Sequence, residues 1–131
     1  MGERFQSHFA IKDGTWTVWN RDRPWEIDRG FNGKSAQTYG HQPVYLARST
    51  YSPNFHLVYF KNTYGFNIDV SDMSKKIKYS VVGGHLHFVI ILGKHPEAIL
   101  KQYHNYIGPA SVPPFWSMGY HQSRWGYRNY D

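Results

Sequence analysis

The sequence predicts a mainly β fold: many short strands, then one helix and a Pro-containing linker, then a final strand set apart from the rest. Three observations carry this. Short runs rich in β-branched and aromatic residues recur along the chain, bounded by Gly, Pro, Asn and Asp. A single stretch, 96–107, repeats its apolar residues at helical spacing. At 131 residues, 40% of them hydrophobic, the chain is long enough for one domain with a real core and is not a disordered polymer.

The elements follow in order. Asp13-Gly14 is a turn signal, and Thr15-Trp16-Thr17-Val18-Trp19 after it alternates at strand period. Trp16 and Val18 share one face; Thr15, Thr17 and Trp19 share the other. Residues 20–34 mix Pro, Gly, Asn and Asp without a period and read as a long surface loop, a kind of segment that usually carries function. Strands are expected over 44–47, 55–61, 66–70, 77–82 and 85–92, with turns at 51–54, 62–65 and Gly83-Gly84. The glycine pair suits a tight hairpin, because both central positions can take positive φ. The apolar runs 58–60 and 88–92 fit strands buried on both faces. The helix starts with Pro96 at its first position and Glu97 in its first turn, and Gly108-Pro109 stops it. Ile99, Leu100, Tyr103, Tyr106 and Ile107 form its apolar stripe, with Lys101 and His104 facing out.

The densest aromatic segment comes last. Pro113-Pro114 removes two amide donors and so precedes an element rather than lying inside one. A strand is expected over 115–121, followed by Arg124, Trp125 and Tyr127, with Gly126 giving the backbone room between the two rings. Rings on both faces of this segment set it apart from a sandwich edge strand and predict an exposed apolar surface wherever neighbouring strands are lacking.

Composition excludes several classes. There is no cysteine, hence no disulfide framework, no Cys-based zinc site and no thiol nucleophile. The formal charge of +6 is scattered; its densest run is Lys75-Lys76 with Lys78, and no ribonucleoprotein-type motif accompanies it, so it reads as solubility rather than nucleic-acid binding. No stretch reaches the roughly 18 apolar residues of a membrane span, and Met1-Gly2-Glu3-Arg4 carries no apolar leader core. Neither a membrane nor a cofactor is expected; localisation stays open, since the start can be internal to a longer gene. His85 and His87 are placed alike on a strand, a legitimate metal spacing. With no third ligand evident, two solvated histidines are the better reading, and no metal is expected.

Several short motifs together resemble glycoside hydrolase family 31, the α-glucosidase family. Pro113 to Tyr127, read as Pro-Pro-Phe-Trp-Ser-Met-Gly-Tyr-His-Gln-Ser-Arg-Trp-Gly-Tyr, is similar to the opening strand of that family's catalytic barrel. Gly2-Glu3-Arg4, Trp19-Asn20-Arg21-Asp22, Tyr39-Gly40-His41-Gln42-Pro43-Val44-Tyr45, Lys61-Asn62-Thr63-Tyr64-Gly65, and Gly83-Gly84 followed by Leu92-Gly93-Lys94-His95-Pro96-Glu97 resemble its N-terminal β-sandwich signatures, in the family's order. The resemblance implies an antiparallel, galactose-mutarotase-like β-sandwich over 1–95, a helix and Pro-rich linker over 96–114, and the start of a truncated (β/α)₈ barrel over 115–131. A complete barrel takes about 250 residues, so the resemblance implies a fragment. His87 stands where the family usually has an acidic residue, and Ser123 where many members have Cys.

Two residues acquire roles from the resemblance. Asp22 is implied to reach into the sugar cleft, where an ionised carboxylate can accept two hydroxyls at once; the alternative is a loop Asp capping a turn. Trp125 is implied to lie beside the entering sugar, whose C–H faces pack on flat rings; the alternative is a core or interdomain Trp. Arg124 reads as a structural ion-pair partner. Retaining glycosidases need two carboxyl groups about 5–5.5 Å apart, and in this family both lie on later barrel strands. Asp69, Asp72, Glu26 and Asp28 match neither, so no catalytic residue is expected here. The expected function is thus the N-terminal part of a retaining α-glucosidase-like hydrolase acting on α-linked glucosides or oligosaccharides, inactive alone. The alternative is a stand-alone carbohydrate-binding or interaction module derived from the same sandwich.

Overall fold

The computed structural model of the chain describes residues 4–5, 10–19, 36–37, 39–73, 75–124 and 126–129. Asp22 with its loop, and Trp125, lie outside the described residues. The strands are β1 (Arg4–Phe5), β2 (Gly14–Val18), β3 (Ala36–Gln37), β4 (Val44–Arg48), β5 (Phe55–Phe60), β6 (Phe66–Ser71), β7 (Lys76–Val81) and β8 (Phe88–Gly93), followed by the helix α1 (Pro96–Ile107) and a 3₁₀ turn (Phe115–Met118). Two antiparallel sheets of three strands dominate, one ordered β2-β6-β7 and the other β4-β5-β8, with β1 and β3 pairing separately. The fold is mainly β, as expected, and consistent with a sandwich.

The first sheet follows the period of two in its sequence. Trp16 and Val18 of β2, Phe66, Ile68 and Val70 of β6, and Ile77, Tyr79 and Val81 of β7 face one core. The other face is polar; there the Thr15 hydroxyl donates to Asp69 at 2.7 Å. The buried Trp16 indole donates to the Lys12 carbonyl at 3.0 Å. β6 and β7 join through a turn in which Asp72 and Met73 both have left-handed φ, 58° and 53°. Lys76 pairs with Asp72 beside it, and the Met73 amide donates to Asp13.

The second sheet is covered unequally. On one face Leu57 and Ile91 pack against Ile99 of α1, with Tyr59 and Tyr103 edge to face at 5.6 Å. On the other, Phe60 crosses into the first sheet's core, edge-on to Phe66 at 5.2 Å and stacked on Phe88 at 4.7 Å. The expectation that 88–92 is buried on both faces is not met: Ile90 and Leu92 are 64% and 68% exposed. β8 is an edge strand, and the rings reaching over from the first sheet meet it at Phe88, leaving its further residues open.

α1 begins with Pro in its first turn and ends at Gly108, whose φ of 93° and amide bond to the His104 carbonyl close it. Its buried face is narrower than its apolar stripe. Ile99 is buried and Tyr103 half-buried, whereas Leu100, Tyr106 and Ile107 are exposed.

The strand expected over 115–121 is instead the 3₁₀ turn Phe115–Met118, closed by the Ser117 amide on the Pro114 carbonyl and the Gly119 amide on the Trp116 carbonyl. A strand needs a neighbour to take its backbone groups. None of the described strands lies beside this segment, so local i to i+3 bonds satisfy them instead. The expected exposure of apolar surface is found: Phe115 and Tyr120 are 87% and 91% exposed. Gly126 has φ of 68°, a backbone conformation that L side chains rarely adopt.

Gly83-Gly84 does not form a hairpin. β7 belongs to the first sheet and β8 to the second, so 82–87 crosses between sheets, as 61–65 does from β5 to β6. Asn62 links the two crossovers. Its Nδ2 donates to the Gly83 carbonyl at 3.0 Å and the His85 carbonyl at 3.2 Å, while its Oδ1 accepts from the Tyr64 amide at 2.8 Å. The Lys61 amide adds a bond to the His87 carbonyl. Gly84 has φ of 86°, and a Cβ there would sit 2.8 Å from Asn62 Nδ2. His85 and His87 therefore precede β8 rather than occupying a strand.

Asn62→Ala is expected to cost roughly 1–3 kcal/mol, because buried polar groups lose their partner. Gly84→Ala should cost at least the ~1–2 kcal/mol of an L-residue in left-handed backbone. Because the two sites touch, the double variant should lose less than the sum in urea unfolding. Phe60→Ala should cost ~3–5 kcal/mol in the same assay.

Burial, and then the charge of Tyr45, raises the Tyr79 hydroxyl well above its ordinary value of 10.0. The folded state thus holds this proton more tightly than the unfolded state does. Its contribution to stability is complete below pH ~10 and is lost as pH rises further. Tyr79→Phe should flatten the alkaline limb of stability against pH, measured by urea midpoints from pH 8 to 11.

Candidate functional site

The two crossovers lie at one end of the paired sheets, and other motif segments meet them there. Val18 is the last ladder residue of β2, opposite Phe66, so Trp19 emerges beside Gly65. The Trp19 indole lies against that glycine: a Cβ on Gly65 would fall 2.9 Å from ring carbon Cε3. Its Nε1 donates to Asn67 Oδ1 at 2.9 Å, which fixes the ring's direction. The Tyr64 ring covers the glycine pair in the same way, with Cβ atoms on Gly83 and Gly84 falling 3.1 and 2.9 Å from its carbons.

The third segment enters from β4. The Phe60 amide donates to the Pro43 carbonyl and the Val44 amide to the Gln42 carbonyl, both at 2.8 Å, so the approach to β4 is tied to the end of β5. His41 meets Phe66 edge-on at 6.4 Å. Burial lowers its pKa below the ordinary 6.5, which favours the neutral imidazole. Four segments separate in sequence, at Trp19, 41–44, 61–65 and 83–84, thus form one end of the molecule. That end offers flat, half-exposed rings at Trp19 and Tyr64.

Of the predicted site residues, Asp22 follows Trp19 by three positions and, like Trp125, lies outside the described residues. Arg124 places its guanidinium 5.7 Å from the centre of the Tyr127 ring. Asp69 accepts the Thr15 hydroxyl on the polar sheet face, and Asp72 pairs with Lys76 in a turn. Among the described residues no group of three or more His, Cys, Asp or Glu could hold a metal, and no helix is long and apolar enough to cross a membrane. What the described end presents to its surroundings is the half-exposed rings of Trp19 and Tyr64, while the Asn62 side-chain amide and the Val44, Phe60, Lys61 and Tyr64 backbone amides are bonded within the chain.

The sequence reading missed Asn62 as the link between crossovers and Trp19 as a ring seated on Gly65. A signal existed for both, since Asn62 and Gly65 stand in one five-residue motif, but its partners lie 21 and more residues away.

No family model matches the chain. Among curated proteins it is 42% identical over 129 residues to a lysosomal acid alpha-glucosidase of Tetrahymena pyriformis, covering 98% of this chain and 14% of that protein. It is 35% identical over 115 residues to the intestinal sucrase-isomaltase of Suncus murinus, covering 87% of this chain and 6% of that one. It is 30% identical over 120 residues to alpha-glucosidase 2 of Bacillus thermoamyloliquefaciens, again 14% of that protein. The chain spans a small part, 14% or less, of the length of these relatives. These curated homologues, each matched over a small part of its length, are consistent with a fragment of glycoside hydrolase family 31, the α-glucosidase family.

Proposed function

We propose that this chain forms the sandwich part of a retaining α-glucosidase and builds one wall of its sugar cleft. The observation that carries the proposal is the meeting of four motif segments at the crossover end, with Trp19 preceding Asn20-Arg21-Asp22 in the chain. In this reading Asp22 accepts hydroxyls of the bound α-glucoside and Trp125 packs on its pyranose face. The carboxylate pair comes from elsewhere in the complete enzyme. Residues 1–95 are the sandwich, 96–114 the linker that α1 docks on β5 and β8, and 115–131 the start of the next unit. Exposed Phe115, Trp116 and Tyr120 support that boundary, since these rings find no cover on the sandwich.

The same exposed rings favour a second reading, a stand-alone carbohydrate-binding or interaction module that meets its partner through 112–120.

A chimera separates the two. Residues 1–131 replace the matching segment of the Tetrahymena pyriformis enzyme, and hydrolysis of maltose is measured. The isolated chain is expected to be inactive and the chimera active. In the chimera Asp22→Ala should remove a charge-assisted contact of ~1.5–3 kcal/mol, about ten- to a hundredfold in kcat/KM. Trp125→Ala should raise KM. Unchanged kinetics in a folded Asp22→Ala variant would return Asp22 to turn capping. Maltose binding by the isolated chain, with no activity in a folded chimera, would favour the module.

A further inference from the structure

The outer, polar face of the first sheet carries a built feature at one end. One step past the β2–β6 ladder, Trp19 stands opposite Gly65, and beyond it Val82 donates its amide to the Gly65 carbonyl at 3.4 Å. Trp19 lies in line with Thr15 and Thr17 and is 42% exposed, so the core does not require an indole there. A single exposed ring is ordinary; a ring with a seat of its own is not. A Cβ on Gly65 would fall 2.9 Å from Cε3 and 3.0 and 3.2 Å from the two ring carbons beside it, Cδ2 and Cζ3. Such near-equal distances put the glycine under the face of the ring, since an edge-on approach would leave the two neighbours much further off than Cε3. Gly65 is not one of the glycines with left-handed φ, so its missing side chain serves the ring and not its own backbone. Nε1 donates to Asn67 Oδ1 at 2.9 Å and keeps the indole from turning. The exposed surface of the ring is therefore on the side turned away from Gly65.

We propose that this outer sheet face binds a short neutral oligosaccharide, with Trp19 as its stacking platform. The two rows next to the ring have the matching chemistry. Thr17, Asn67 and Ser80 stand side by side across the three strands, and after them Thr15, Asp69 and Lys78. Successive rows on one face are two residues of strand apart, so the ring and these two rows span roughly 14 Å, the reach of two or three linked pyranoses. A pyranose lays its C–H face on a flat ring and carries hydroxyls at its rim, which the hydroxyl, amide and carboxylate groups beside the ring can donate to and accept from. Two of those groups are already aimed. The bond from Trp19 fixes the Asn67 amide, and the Thr15 hydroxyl holds the Asp69 carboxylate at 2.7 Å, with acceptor capacity left for a sugar. Charge favours a neutral ligand over an anion: Lys78 stands next to Asp69, and Lys76 in the row beyond is paired with Asp72. The surface consists of residues other than Asp22 and Trp125; only the choice of α-linked glucose as its sugar rests on the cleft reading.

Titrating the isotope-labelled 131-residue chain with maltotriose, followed by NMR, tests it. The Trp19 indole N–H and the backbone amides of Thr17, Asn67 and Ser80 should shift together on one saturable curve, while those of Phe55–Phe60 stay in place. No saturable shift at this face would overturn the inference. So would shifts confined to 112–120, which would put the sugar on the exposed tail instead. Trp19→Ala should weaken maltotriose affinity at least tenfold. Ser80→Arg, at an exposed position on an edge strand, should obstruct the face and weaken binding as much; it carries the test if Trp19→Ala does not fold. Tyr51→Ala, in the turn after β4 and 94% exposed, should leave the affinity unchanged. Full affinity in a folded Ser80→Arg variant would overturn the placement, and binding of a sulfated oligosaccharide here without binding of maltotriose would overturn the ligand class. None of these measurements uses the chimera. An inert Asp22→Ala there removes the cleft reading alone, and a silent titration here removes this one alone.

Discussion

The architecture depends on one buried amide. The chain passes between the two sheets at 61–65 and again at 82–87, and each passage breaks the ladder and leaves backbone groups without strand partners. Asn62, buried at 8% exposure, resolves this by offering two donors and one acceptor from a single planar group. The geometry is demanding. Gly84 must take left-handed backbone and lack a Cβ for the amide to fit. An apolar residue of similar size would fill the space but strand three backbone groups, which in a low-dielectric site is the more costly error. The constraint is therefore mutual: the glycines make room for Asn62 and Tyr64, and these side chains hold the glycines where they are.

Packing divides less evenly than a symmetrical sandwich would. Phe60 is the side chain through which the second sheet enters the first sheet's core, within an edge-to-face and stacked cluster with Phe66, Tyr79 and Phe88. That cluster sits at the crossover end. Further along the same face of β8, Ile90 and Leu92 are left open, and on α1 so are Leu100 and Ile107. Among the described residues, the end where the rings cluster is thus also the one at which four motif segments gather. A site needs a rigid support, and here the ring cluster and the Asn62 bonds supply it.

Local signals were legible where local physics decides. The alternation of Thr15 to Trp19 put Trp16 and Val18 on one face, which is the core face, and Pro96 and Gly108 marked the ends of α1. Partner choice among strands was not legible. Two glycines at 83–84 read as a hairpin by local rule, but β8 carries apolar residues on both faces and is drawn to β5, where Ile91 meets Leu57 and Ile99. The real hairpin after β6 went unnoticed, because Asp72-Met73 lacks the usual Asn-Gly signal. Met73 holds its left-handed backbone with help from Asp13, 60 positions away, and no window on the sequence contains both. The tail shows the same limit from the other side. Its aromatic density reads as a strand, but strand geometry is a property of pairs, and with none of the described strands beside it the chain closes on itself in a 3₁₀ turn.

The candidate site follows the same division. Its residue types were visible in the sequence as separate short motifs; that they form one end of the fold was not, because each is brought there by a different strand. Trp19 arrives by β2, 41–44 by β4, 61–65 by the exit from β5, and 83–84 by the exit from β7. Antiparallel order places those strand ends together only because the chain changes sheets at both crossovers. Had Gly83-Gly84 closed a hairpin, β8 would have lain beside β7, and the Asn62 amide would have faced a strand edge instead of two free carbonyls. The sheet change that defeats the local reading is therefore what brings these segments together, and the residues of the first crossover, Asn62, Tyr64 and Gly65, both bind the second crossover and carry or seat the rings.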